Sequence, residues 1–163
     1  MTMVAANLIS DLTSLWTNPP EARDIIETGD AIEALWITAA VGGGVSSATL
    51  FTPGVTHADL SPLGDNSTPT EAAQAFEDAC TALVVATTFT AVAPATIAPP
   101  AIPAASTPGT LANVLKPIFD APEAGTSAAT QANSIGTAIH TFLAGWTVAV
   151  TIPPAAAVAT PIL

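Results

Sequence analysis

Two basic and thirteen acidic side chains are all the formal charge in this chain of 163 residues, and half of its residues are apolar. An ordinary soluble domain is roughly 25% charged, against 9% here. So few charges cannot coat the surface of an isolated monomer, and the composition predicts that other chains cover part of it. The length suits a single domain over residues 1–163, enough to bury a hydrophobic interior unaided. Cys80 is the single cysteine, so no intramolecular disulfide supports the fold.

The balance of charge excludes several partners. Only Arg23 and Lys116 oppose the acids, and the formal net charge of −11 repels phosphate backbones and anionic head groups. No direct contact with nucleic acid is expected. Six acids lie between Asp11 and Glu33 and none follows Glu123. Halophilic adaptation would raise total charge as well as acidity, and total charge is low.

Mean hydropathy is high, at +0.55, so a membrane span has to be considered. The uncharged stretch 81–115 is broken by Pro94, Pro99, Pro100, Pro103 and Pro108, and 34–56 by Gly42, Gly43, Gly44 and Pro53. Spanning needs about 20 consecutive helix-compatible apolar residues, which neither stretch provides. Residues 1–16 have no basic region, and Asp11 interrupts their apolar run, so they do not read as a secretory signal.

The two ends of the chain resemble each other. Leu15-Trp16-Thr17-Asn18-Pro19-Pro20-Glu21-Ala22 parallels Ile118-Phe119-Asp120-Ala121-Pro122-Glu123-Ala124 with one gap, and Ala31 to Trp36 parallels Ala138 to Leu143. This predicts repeat units at 1–56 and 108–155, with a shorter middle unit at 66–98 that opens on Pro69-Thr70-Glu71-Ala72. Leu8, Leu12, Leu15 and Trp16 follow helical spacing, as do Leu111, Val114, Leu115 and Ile118. After each proline a second helix is expected, with Glu21 or Glu123 in its first turn. Ile25, Ile26, Ile32, Leu35 and Trp36 supply its apolar positions in one copy, and Ile135, Ile139, Phe142 and Leu143 in the other. Each copy is thus a helix hairpin.

The period then changes to alternation. Trp146, Val148, Val150 and Ile152 share one face of a strand rich in threonine and β-branched residues, and weaker strands are expected at 45–51 and 86–92. The fold class this predicts is α+β, with duplicated helix-hairpin-plus-strand units around one small mixed sheet. The expected core is Leu12, Trp16, Ile32, Leu35, Trp36, Phe76, Leu83, Leu115, Phe119, Ile139, Phe142, Leu143 and Val148. Segments 94–108 and 153–163 are rich in Pro and Ala and lack the charge that solvates a linker. They read as extended arms laid on a neighbouring subunit. The predicted interface residues are Trp146, Val148, Val150, Ile152, Ile162 and Leu163.

A search for chemistry finds little. No nucleophile motif accompanies His57 or His140, and Cys80, preceded by apolar residues at helical spacing, reads as a core residue. His57-Ala58-Asp59 has no further His or Cys nearby to complete a metal site. Asp59, Asp65 and Asn66 depart from the calcium-loop spacing; Glu77-Asp78 is a pair of carboxylates of the kind that acid-base work uses, and the Glu27, Asp30, Glu33 row, at helical spacing, reads as one solvated face. Gly42-Gly43-Gly44 lacks the Lys-Ser/Thr of a phosphate loop and reads as a bend. No catalytic, cofactor-binding or metal residues are assigned, and the chain does not read as an enzyme.

Pro-Glu-Ala helix starts, Ala138-Ile139-His140-Thr141-Phe142-Leu143 before a Thr/Val strand, and Pro/Ala/Thr-rich ends together resemble small virion structural proteins of tailed bacteriophages. The resemblance is one of style and covers mainly 135–154. It implies a subunit of a symmetric oligomer in the tail, baseplate or neck, assembled in the host cytoplasm, whose partners are copies of itself and other virion proteins. The alternative is a capsid decoration or host-surface binding module.

Overall fold

The computed structural model of the chain describes residues 2–17, 24–64, 66–101, 109–121 and 127–163. Six helices and five strands follow one another as α1 (Ala5–Thr17), α2 (Asp24–Trp36), β1 (Ser46–Leu50), α3 (His57–Leu60), α4 (Pro69–Val85), β2 (Thr88–Ala91), β3 (Thr96–Ile97), α5 (Thr110–Phe119), α6 (Ala128–Ala144), β4 (Thr147–Thr151) and β5 (Val158–Pro161). The fold is α+β, and the order helix, helix, strand occurs at α1-α2-β1, α3-α4-β2 and α5-α6-β4.

Local chemistry explains where several helices start. Thr68 accepts from the Glu71 N–H at 3.2 Å while the Glu71 carboxylate accepts from the Thr68 N–H at 2.8 Å, and Pro69 occupies the first turn. This reciprocal box satisfies donors that the helix cannot satisfy itself. α6 starts later than proline spacing suggests, at Ala128, with Ser127 accepting from the Thr130 N–H at 3.2 Å. The expected Pro-Glu-Ala starts, 20–22 and 122–124, lie outside the described residues.

α1 packs against α2, and α5 against α6, as hairpins would, but the most extensive helix contacts are α1 with α6 and α4 with α5. Gly136 permits the first of these: a Cβ there would lie 2.8 Å from Cγ1 of Ile9. Phe76 and Phe119, with ring centroids 5.7 Å apart, anchor the second. Leu8, Leu12, Ile32, Leu83, Leu115, Ile139 and Leu143 are fully buried between these helices. The other expected core residues are buried as well, apart from Trp16, Phe119 and Phe142, which pack half-buried against the core.

The strands form two separate antiparallel sheets, not one mixed sheet: β1-β2, and β3-β4-β5. A parallel pair needs a long crossover between its strands. Here β5 returns along β4 after a short turn in which the Ala155 N–H donates to Ile152 O at 2.8 Å. The same turn corrects the reading of 153–163 as an arm. Val158 to Pro161 pairs with the chain's own β4, the Ile162 N–H reaches Trp146 O at 3.1 Å, and Leu163 exchanges two hydrogen bonds with Ala40. Of the other Pro-rich segment, 96–101 runs along the opposite edge of β4, with the Ala98 N–H on Ala149 O at 2.9 Å, and 102–108 lies outside the described residues. β4 is the most regularly alternating strand, and the two Pro-rich segments occupy its two backbone edges. Glycine does permit the bend before β1, where Gly43 and Gly44 adopt φ of +78° and +70°.

Trp36 and Trp146, both buried, differ in one respect. The Trp36 Nε1–H donates to Thr87 Oγ1 at 2.7 Å, whereas Trp146 Nε1 has no hydrogen-bond partner among the described residues. An unmade buried bond already carries its penalty, so removing that donor frees energy that offsets the lost ring volume. Trp36→Phe is therefore expected to destabilise the fold by about 1–2 kcal/mol more than Trp146→Phe, as read by urea unfolding of the two variants. Equal losses would show that the Trp36 bond contributes nothing.

Candidate interaction surface

The acids and bases are segregated by element. Residues 34–58, 79–115 and 124–163 contain no Asp, Glu, Lys or Arg, and all five strands fall in these stretches. Each main strand leaves the C-terminal end of a helix through a short link, Ala86-Thr87 before β2 and Gly145-Trp146 before β4. The two sheets meet where β2 turns into β3 and where 40–41 pairs with 162–163. One part of the molecule is thus an uncharged β region, and the carboxylates of the described residues belong to the helices and their loops.

Exposed apolar side chains concentrate in the same region. Among the described residues, Leu50, Val92, Ile152, Val158 and Leu163 lie on or beside strands, and Ile37 and Val85 lie at the helix ends leading into β1 and β2; only Val4, Ile26 and Val114 are elsewhere. Of the six predicted interface residues, Ile152 and Leu163 are exposed at 44% and 45%. Trp146, Val148, Val150 and Ile162 are buried in the chain's own core, because the inward face of β4 is covered by its own helices and tail. Leu50, Val85, Val92 and Val158 escaped the sequence reading. Scattered apolar residues in neutral segments carry no periodic signal that marks them as exposed.

Two carboxylates, Glu33 and Glu77, turn inward, which corrects the reading of Glu33 as part of a solvated face. Glu33, 6% exposed, accepts from the Gly54 N–H at 2.8 Å, the Thr56 N–H at 3.1 Å and the Thr56 hydroxyl at 3.0 Å. Glu77, 5% exposed, accepts from the backbone N–H groups of Gly109 and Ala112, the latter at 2.9 Å, and so caps α5 from α4. Unpaired N–H groups at a helix start carry partial positive charge, which stabilises an anion held there. Each acid pins a remote loop or helix end. Asp78, next to Glu77, faces solvent, where Gln74 Nε2 donates to it at 2.9 Å, so the two adjacent acids do not work as a pair.

The remaining candidates are dispersed. His57 Nε2 lies 2.8 Å from the exposed Asp30 carboxylate. His140 Nε2 lies 3.4 Å from Met3 O, joining α6 to the segment before α1. Cys80 is fully buried, and that burial, with Glu77 nearby, pushes its thiol pKa far up, which leaves it inert as a nucleophile. The hydrogen bonds from Thr68 hold the Glu71 carboxyl below the usual carboxylate range. Among the described residues, no group of three His, Cys, Asp or Glu side chains is placed to hold a metal ion, and no helix is long and apolar enough to cross a membrane. Asp65 lies outside the described residues. A cleft of about 340 Å³ between α5 and α6 is lined by Leu111, Val114, Ala138 and Phe142 with Thr and Ser neighbours, and no titratable group among the described residues lines it.

Asp59 lines a second cleft with Asn66, Ser67 and Glu71. Partial burial first, and the nearby Asp78 second, raise its pKa above the ordinary value of 3.8. A folded-state pKa above the unfolded one gives a contribution that is fully present below 3.8 and lost as pH rises through the folded value. Asp59→Asn is thus expected to raise the melting temperature at neutral pH and to leave it unchanged once the pH is well below the usual carboxylate range. Equal melting temperatures at neutral pH would contradict it.

Comparison of the chain with protein families, with characterised proteins and with solved structures found no match.

Proposed function

We propose that this protein is a structural subunit that works through contacts with other chains, and that its assembly is the virion of a tailed bacteriophage. The observation that carries the first part is the segregation just described: among the described residues, most exposed large apolar side chains lie in uncharged stretches, on or beside strands or at the helix ends leading into them. An apolar surface without charge is the composition of an interface core, where charged residues are depleted. The dispersal of the titratable groups supports a structural role over a catalytic one. The virion reading rests on the resemblance carried by 135–154 and by the Pro/Ala/Thr-rich ends.

Sedimentation of the purified chain over a range of concentrations tests the first part, and a mass-spectrometric search for it in purified particles tests the second. Self-association, or stoichiometric recovery in particles, is the expected result. A monomer at every concentration that is also absent from particles overturns the proposal. A monomer that rebinds particles when added back identifies a decoration or attachment module instead.

A further inference from the structure

We propose that the outer edge of β2, residues 88–92, joins two copies of this chain, antiparallel and edge to edge, so that β1-β2 continues across a two-fold axis into the same pair of the second copy. This inference rests on the reading of the chain as an assembly subunit and names the surface that would serve it.

Backbone parity identifies the edge. The Val92 N–H donates to Val45 O at 2.9 Å, and Thr90 O accepts from the Ser47 hydroxyl at 3.3 Å, so the backbone groups of residues 88, 90 and 92 face β1. Successive residues of a strand point their backbone groups to opposite edges. The N–H and C=O groups of Phe89 and Ala91 therefore face away from β1, and among the described residues no strand pairs with that edge. Their side chains lie on the inner side, Phe89 against Trp36 with ring centroids 6.2 Å apart, while Thr88, Thr90 and Val92 are exposed.

The other edges are protected. The segment continuing β3 runs into Pro99-Pro100, which offer no donors. On β5 the Ile162 N–H points to β4, so the outward positions are 159, 161 and 163; Pro161 has no N–H and Leu163 is already paired with Ala40. β1 is flanked by 39–41, where Thr49 Oγ1 bonds Ala39 O and the Val41 N–H donates to the Ser46 hydroxyl. Thr88-Phe89-Thr90-Ala91-Val92 has neither the charge nor the proline that usually guards an exposed edge. Threonine, phenylalanine and valine also favour strand pairing.

Charge selects the occupant. Every copy carries −11, so two copies repel wherever their helices approach. Contact through the uncharged β region keeps those carboxylates away from the join. A strand paired antiparallel with itself obeys two-fold symmetry, the commonest closure of a homo-oligomer. A cationic partner would seek the helices instead. The join therefore strengthens with added salt, which screens the repulsion between copies, the opposite of association through ion pairs.

The test is sedimentation equilibrium of the full chain at low and high salt, with hydrogen exchange followed at Phe89 and Ala91. Wild type is expected to dimerise more tightly at high salt, with both amides protected as concentration rises. Ala91→Pro removes an outward donor and leaves the ladder to β1 intact. Thr90→Glu places like charges near one another across the join. Each is expected to weaken dimerisation about tenfold or more, whereas Ala129→Glu, at an exposed position in the first turn of α6, leaves it unchanged. Thr90→Glu and the exchange data decide the matter if the proline variant does not fold. Dimers that survive both edge variants, or form without protecting the two amides, overturn the edge assignment and leave the subunit reading standing. A wild-type chain that stays monomeric also overturns it, and particle mass spectrometry then decides the broader reading separately.

Discussion

Glu33→Ala will remove about 3–4 kcal/mol of folding stability: hydrogen bonds to a charged acceptor contribute about 1.5–3 kcal/mol each and three donors lose their partner together, while the cost of burying the carboxylate, which disappears with it, offsets part of that loss. The donors are the N–H groups of Gly54 and Thr56 and the Thr56 hydroxyl, and Thr56 is fully buried, so water does not replace the carboxylate without rearrangement. Such a loss is a large share of the roughly 5–15 kcal/mol that holds a domain together. Glu33→Gln retains one acceptor oxygen and turns an amide N–H₂ toward a donor, so it should recover only part of the loss. Urea unfolding with an unchanged slope, and faster exchange of the Gly54 and Thr56 amides, is the expected pattern. A loss below about 1 kcal/mol, the scale of a single neutral hydrogen bond, would mean that the loop holds its place without Glu33.

Glu77→Ala is expected to be almost as damaging, by about 2–3 kcal/mol, and its effect should be local. Glu77 projects from α4 to the start of α5, whose N-cap, Gly109, has no side chain with which to satisfy the free N–H groups. α4 and α5 are also one of the two most extensive helix pairs. Without the carboxylate, amides 109–113 should exchange faster while those of α1 and α6 keep their protection. Uniform acceleration along the chain would show that Glu77 supports the whole fold, and no change would show that α5 needs no external cap.

The longer helices and the strands β1, β2 and β4 were legible because their signals are local, whereas α3, β3 and β5 fall in segments that read as loop or arm. Leu8, Leu12, Leu15 and Trp16 repeat at helical spacing, and Val148 and Val150 alternate on a strand. The expected core followed from the same periodicities. The two buried acids were not legible. On helical spacing Glu33 resembles Glu27 and Asp30, and what draws it inward is a set of donors more than twenty residues away. Glu77 and Gly109 are further apart still.

The interaction surface shows the same division. Scarcity of charge pointed from the outset to a molecule that works through contact, and the uncharged stretches could be read directly from the chain. Which apolar residues in those stretches face outward could not. Trp146, Val148, Val150 and Ile162 have the composition of an interface, yet β4, β5 and residues 40–41 bury them within one chain. Whether a Pro-rich segment extends to a neighbour or closes on its own strand depends on a backbone edge being free within reach, and β4 offered two. Composition and periodicity therefore settled the longer helices and the regular strands; the pairing of edges and the reach of remote donors settled the Pro-rich segments and which surfaces remain exposed, because those depend on residues that meet only after folding.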